Sequence, residues 1–101
     1  MKKIIDGRRY DTDTADELAS DSYLYPGDHA HYEEALYRTP RGAYFLAGSG
    51  GPMSKYGQSC GPNSWSDGDG IVPLTDSEAL RWIERSGADV PECLSHLVQD
   101  A

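Results

Sequence analysis

The side chains of this chain best suited to bind a metal ion are its three histidines and two cysteines. They are His29, His31, Cys60, Cys93 and His96. Cys93 and His96 stand three residues apart in a predicted helix, a spacing that places both on one face. Zinc frameworks usually contain two close ligand pairs with thiolates, but Cys60 stands alone, and Cys93 beside Leu94 fits a small core residue. We therefore predict no metal site, and a small metal-dependent enzyme is the weakest hypothesis.

Calcium and phosphate chemistry are also poorly supported. Asp11 and Asp13, like Asp67 and Asp69, are separated by one residue, as at the start of a calcium-binding loop. Neither pair continues into an EF-hand, since the central glycine and the bidentate glutamate are absent. The glycines of Gly48–Pro52 lack the Gly-Lys-Ser/Thr of a phosphate-binding loop and do not fit the dinucleotide pattern. The sequence predicts no cofactor.

Glu33 and Glu34 are the carboxylates that most resemble a general acid–base pair. Adjacent residues of a strand point to opposite faces, so these two cannot easily share a substrate. No serine or cysteine lies in a recognisable nucleophile motif. We predict a protein without catalytic residues.

Charge is the strongest chemical signal. The 101 residues carry 17 acids and 9 bases, a formal net charge of −8, and residues 11–34 contain eight acids without any Lys or Arg. Such a surface is repelled by DNA, RNA and anionic membranes. It can instead imitate a row of phosphates and compete for a basic protein surface, although an ordinary solvated face has the same composition. The predicted partner-binding residues are Asp13, Asp16, Glu17, Asp21, Asp28 and Glu33.

A central β-hairpin over residues 33–51 is the element that must position these acids. Two apolar runs flank Thr39–Gly42, where Pro40 presets a turn and Gly42 can adopt a left-handed conformation. Counting from the turn places Tyr37 and Phe45 on one face and Leu36, Tyr44 and Leu46 on the other. The predicted pairs are Arg38 with Tyr44, Tyr37 with Phe45, and Leu36 with Leu46. Both faces require cover, so the hairpin is predicted at the centre of a small sheet.

The N-terminal region contains three further signals. Asp6-Gly7 predicts a tight hairpin that places Ile4 or Ile5 in the core. Thr14–Glu17 fits a capping box, which predicts a short helix with its acids turned mostly away from the core. Pro26-Gly27 predicts a break in regular structure.

The C-terminal half is predicted to begin with a long glycine-rich loop, Gly48–Gly70, which holds seven of the eleven glycines. Ile71–Leu74 predicts an edge strand because of Pro73. Thr75–Glu78 is a second capping box that opens a helix, which Gly87 ends. Pro91 begins a last short helix that packs through Leu94, Leu97 and Val98. The order of elements predicts one α+β domain over residues 1–101, with an antiparallel sheet of three to five strands and two or three helices.

Several segments together resemble a known family. They are Lys3-Ile4-Ile5-x-Gly7-Arg8-x-Tyr10-Asp11-Thr12-x-Thr14-Ala15, Glu34-x-Leu36-Tyr37-Arg38-Thr39-x-x-Gly42-x-Tyr44-Phe45-Leu46, Gly48-x-Gly50-Gly51, Ile71–Thr75 and Glu78-Ala79-x-x-Trp82-Ile83. This pattern resembles small proteins of bacterial mobile elements and prophages that are linked to anti-CRISPR proteins. The resemblance spans residues 3–83 and implies no catalytic residue. Many relatives carry an acid where this chain has Ser49, so no charged role is transferred to that position.

Resemblance and charge together lead to the main hypothesis. We expect a cytoplasmic anti-CRISPR protein of a bacterial host cell that binds a Cas effector component and blocks recognition of target DNA, with DNA mimicry as one mode. It would bind no nucleic acid and no membrane, as a monomer or a homodimer with reduced thiols. The alternative is an interaction module of a mobile element or prophage that binds another partner through Gly48–Gly70, using Tyr56 and Trp65.

Overall fold

The computed structural model describes residues 1–25 and 27–101. The predicted break at Pro26 lies outside the described residues, and its neighbour Gly27 has a left-handed φ of 102°. The strands are β1 (Lys2–Ile5), β2 (Arg8–Asp11), β3 (Asp16–Tyr23), β4 (Tyr32–Arg38), β5 (Tyr44–Gly50), β6 (Gln58–Gly61), β7 (Ser64–Ser66) and β8 (Gly68–Leu74). The helix α1 (Asp76–Ser86) and a 3₁₀ helix (Glu92–Leu97) follow.

The main sheet is antiparallel, with four strands in the order β3-β4-β5-β8. The strands β1-β2 and β6-β7 form two separate hairpins. The α+β class and the antiparallel sheet are therefore confirmed. The helical content is lower than predicted, since the described residues form one α-helix and one 3₁₀ helix.

The central hairpin has the predicted register. Arg38 lies opposite Tyr44, Tyr37 opposite Phe45 and Leu36 opposite Leu46. Its turn is closed by hydrogen bonds from the Gly42 N–H to the Thr39 carbonyl (2.9 Å) and from the Thr39 N–H to the Ala43 carbonyl (2.8 Å). Gly42 has a φ of 89°, the left-handed conformation that the turn requires.

Both faces of this hairpin are covered, as its pattern predicted. Leu36, Tyr44 and Leu46 pack against Ala79, Trp82 and Ile83 of α1 and against Leu94 of the 3₁₀ helix. We call this side of the sheet the helix face.

The opposite face packs against the N-terminal hairpin. There the Tyr10 ring meets the Phe45 ring edge-on, with centroids 5.5 Å apart, and Tyr37 stacks on Phe45 at 5.2 Å. Of the two candidate isoleucines, Ile5 packs partly against this cluster and Ile4 is 66% exposed. The hairpin turn itself is confirmed, because Asp6 and Gly7 both have positive φ.

The second capping box and the edge strand are also confirmed. The Glu78 N–H donates to Thr75 Oγ1 (3.2 Å), the Thr75 N–H donates to Glu78 Oε1 (2.9 Å), and Gly87 ends α1 with a φ of 75°. The strand predicted over 71–74 forms part of β8 at the sheet edge. In the last helix Leu94 is buried, but Val98 lies beyond the helix and is 50% exposed.

The helix predicted from Thr14 was wrong, because residues 16–23 form the strand β3. Residues 12–15 instead form a turn that leads into β3, in which the Ala15 N–H donates to the Asp11 carbonyl at 3.2 Å. A helix here would leave the outer backbone groups of β4 without partners, whereas β3 pairs along the whole of that strand. Sheet pairing therefore outweighs a weak local helix signal.

The long loop predicted over 48–70 was also wrong. Strand β5 continues to Gly50, β8 begins at Gly68, and β6-β7 form a hairpin between them, which leaves 51–57 as the irregular segment. Gly48 lies beneath the buried ring of Tyr56, and a Cβ at Gly48 would overlap that ring. At this position the glycine provides space for a packed aromatic side chain instead of flexibility.

Gly48→Ala tests this explanation. We expect the variant to lower the free energy of unfolding by about 1–3 kcal/mol, because the added methyl group must displace a fixed ring. Gly70→Ala is the matched control: its Cβ would meet Tyr56 at an ordinary 3.8 Å. Chemical denaturation of both variants measures the difference, and equal stability would contradict the packing role of Gly48.

Candidate functional site

Strand β3 forms one edge of the main sheet, and the described residues leave its outer side unpaired. It is eight residues long and mostly exposed. Its sequence, DELASDSY, contains three acids and no Lys, Arg or Pro. Native proteins usually protect such an edge with charge, proline or a bulge, and here the protection comes from acids and from a bulge between Glu17 and Ala19.

The register divides the acids of β3 between the two faces of the sheet. Residues directly opposite each other in an antiparallel pair point to the same face. Asp21 lies opposite Glu34, whose carboxylate contacts α1, so the Asp21 side chain belongs to the helix face. Asp16 lies opposite Arg38 on that same face, whereas Glu17 lies opposite Tyr37 on the other. Carboxylates therefore flank this edge from both sides.

A groove of about 640 Å³ runs beside β3 on the side away from α1. Small residues of three strands line it: Ser20, Ser22, Ala35, Ala47 and Ser49. Glu17 and Glu33 add carboxylates, and Met1 and Thr12 lie at its border, where they are joined by hydrogen bonds of 3.0 Å. Tyr37 also lines the groove, which is therefore acidic and formed mostly, but not entirely, by small residues.

The other predicted contact residues occupy different places. Asp28 and Glu33 line a second concavity of about 440 Å³, which shares Glu33 and Ser49 with the groove. The Asp28 carboxylate accepts a hydrogen bond from the Ala30 N–H (2.8 Å). Asp13 is exposed in the turn before β3 and lines neither concavity. Asp16, Glu17 and Asp21 therefore share strand β3 but are divided between its two faces, and Glu33 lines the groove from the adjacent strand β4.

Glu34, the eighth acid of this region, is absent from the surface. Only 6% of the residue is exposed, while the Glu33 side chain on the opposite face is 64% exposed. The Glu34 carboxylate accepts hydrogen bonds from Lys55 Nζ (2.8 Å), the Tyr56 hydroxyl (2.6 Å) and the Trp82 Nε1–H (3.0 Å).

These partners keep Glu34 ionised. Burial by itself raises the pKa of Glu34, but the hydrogen bonds from Lys55, Tyr56 and Trp82 outweigh it and hold the pKa below its usual value. Burial and the hydrogen bond to Glu34 raise the pKa of Tyr56, so its hydroxyl remains a donor at neutral pH. This cluster was not predicted from the sequence. One signal was available: a glutamate within a doubly covered strand needs a cation, and Lys55 is the only base between residues 42 and 80.

The β6-β7 hairpin is a further exposed feature of the part of the chain that the structure describes. Residues 58–67 are all exposed, and Trp65 is 58% exposed. Tyr56, expected to act with Trp65, is 7% exposed and bonded to Glu34, so it is unavailable for a partner. Cys60 in this hairpin and Cys93 are free thiols.

Across residues 1–25 and 27–101, no group of three or more His, Cys, Asp or Glu side chains is arranged to hold a metal ion. The same residues contain no helix long and apolar enough to cross a membrane. No protein-family model, curated protein or solved structure matches this chain.

Glu34→Gln tests the buried carboxylate. At neutral pH we expect a loss of about 2 kcal/mol in unfolding free energy, because charge-assisted hydrogen bonds become weaker neutral ones. Glu33→Gln, its exposed neighbour, should change stability by less than about 0.5 kcal/mol.

The pH dependence has a defined sign. Folding lowers the pKa of Glu34 from its ordinary value of 4.5. The ionised Glu34 carboxylate therefore contributes fully to stability above pH 4.5, and this contribution disappears as the pH falls through the lower pKa of the folded state. The stability difference between wild type and Glu34→Gln should therefore shrink below about pH 4.5. Urea denaturation at several pH values measures it, and a constant difference would contradict the ionised state.

Proposed function

We propose that this chain is a non-enzymatic anti-CRISPR protein that binds a basic surface of a Cas effector component and thereby blocks recognition of target DNA. The observation that carries the proposal is that the edge strand β3 exposes three carboxylates, Asp16, Glu17 and Asp21, on its two faces. The resemblance over residues 3–83 supports the choice of partner class. Such a protein would act in the cytoplasm of the bacterial host, where effector and target DNA meet.

Electrostatics favours a basic protein partner over nucleic acid. The net charge of −8 repels phosphates, and within the acid-rich region Glu34 is already neutralised by Lys55. Five of the remaining carboxylates are exposed, namely Asp13, Asp16, Glu17, Asp21 and Glu33. They would accelerate encounter with a positively charged surface, an effect that weakens with salt. A Cas subunit that holds nucleic acid provides such a surface.

Neutralising the β3 acids tests the proposal. We expect the triple variant Asp16→Asn, Glu17→Gln and Asp21→Asn to weaken inhibition about tenfold or more, because three exposed interfacial charges are lost. The matched control neutralises three exposed acids elsewhere, with Glu84→Gln, Asp89→Asn and Glu92→Gln. The measurement is target-DNA binding by purified, guide-loaded Cas effectors of several types as inhibitor is added. Equal inhibition by the two variants would contradict the assigned site, and inhibition of no effector by the wild type would contradict the function.

A second candidate function rests on the exposed β6-β7 hairpin. Residues 58–66 carry no charged side chain and present Trp65 to solvent, and tryptophan is a frequent anchor of protein interfaces. An interaction module of a mobile element could bind a different partner through this hairpin.

Salt separates the two candidates. Binding through Trp65 should persist between about 0.05 and 0.5 M NaCl, whereas binding through the β3 acids should weaken steeply. Trp65→Ser should abolish the salt-resistant binding, and Val98→Ser, which alters a residue of similar exposure, should not. Affinity capture from a CRISPR-bearing bacterial lysate at both salt concentrations, with the captured protein identified, measures the outcome.

A further inference from the structure

The position of the acids on β3 indicates the form of partner that this edge accepts. A flat surface docked on one face of the sheet would meet the helix-face acids Asp16 and Asp21 or the groove-face acid Glu17, but not all three. A strand added to the edge would lie between the two sets. We propose that β3 binds an extended lysine- or arginine-bearing segment of a partner as an additional strand of the main sheet. This inference rests on the acidic site of the proposed function and specifies the partner's conformation.

The side chains of an added strand would reach acids on both sides. Successive side chains of a strand point to opposite faces. Those on the groove face would lie near Glu17 and above the small residues Ser20 and Ser22, where the 640 Å³ groove accommodates a long aliphatic stem. Those on the helix face would lie near Asp16 and Asp21. A basic side chain on either face of the added strand would therefore meet a carboxylate.

The backbone of β3 is suited to this role over its second half. After the bulge between Glu17 and Ala19, residues 19–23 pair continuously with residues 32–36 of β4. This regular stretch contains no proline, so its outward N–H and C=O groups can extend the ladder. The opposite sheet edge, β8, contains Pro73, which cannot donate a backbone hydrogen bond.

A second copy of the chain fits this edge poorly. Pairing β3 with another β3 would bring two sets of Asp16, Glu17 and Asp21 together, and like charges across a strand pair are destabilising. The same acids that attract a basic strand therefore oppose self-association.

A synthetic peptide tests the inference directly. It has about ten residues of alternating Lys and Thr, enough to span the eight residues of β3. A second peptide has the same sequence with its central amides N-methylated, which keeps the charge but removes the backbone donors. By fluorescence anisotropy we expect the unmodified peptide to bind about tenfold tighter or more, because backbone hydrogen bonds supply affinity in strand addition. Amide hydrogen exchange should slow in β3 and stay unchanged in β8.

The triple variant Asp16→Asn, Glu17→Gln and Asp21→Asn should lose peptide binding, whereas the control with neutralised Glu84, Asp89 and Glu92 should retain it. Equal affinity for both peptides, protection outside β3, pairing of two copies through β3, or binding of neither peptide would each overturn the inference. The effector assay keeps the two proposals apart. Inhibition without peptide binding removes strand addition alone, and peptide binding without inhibition removes the proposed function alone.

Discussion

The hydrogen bonds of the buried Glu34 carboxylate are the interaction on which the arrangement of the other elements depends. It lies on β4 and is bonded to Lys55 and Tyr56 of the segment after β5 and to Trp82 of α1. A buried charge is costly unless its partners are present, so β4, the 51–57 segment and the helix must assemble together. Lys55 adds a cation–π contact, with its Nζ 4.8 Å from the centre of the Tyr32 ring.

The same cluster explains the shape of the surface. Because Tyr56 is held over Gly48, the helix face is filled at that end, and the segment leading to the β6-β7 hairpin is fixed at its base. Glu34 is paired internally, whereas Asp13, the three acids of β3 and Glu33 are exposed. The chain thus uses one acid of its acid-rich region for folding and leaves others accessible to a partner.

Neighbouring residues in the sequence were sufficient to predict some elements of the fold and not others. The register of the central hairpin follows from its turn residues, and α1 follows from the Thr75 capping box and Gly87, so both were predictable. The strand β3 was not, because its pairing with β4 is a contact between distant residues that no local pattern encodes. Gly48 was misinterpreted for a related reason: the Tyr56 ring that requires it lies eight residues further along the chain.

The candidate site shows the same division, since the acids could be identified from composition while their arrangement could not. On the predicted helix, which Thr14 caps, the acids Asp16, Glu17 and Asp21 fall mostly on the side away from the core, where they can imitate a row of phosphates. On the observed strand, Asp16 and Glu17 point to opposite faces and Asp13 lies in the preceding turn. A strand also offers what a helix cannot, an edge of backbone N–H and C=O groups open to pairing. The change from helix to strand therefore shifts the expected mode of recognition from imitation of a phosphate row towards capture of an extended basic segment.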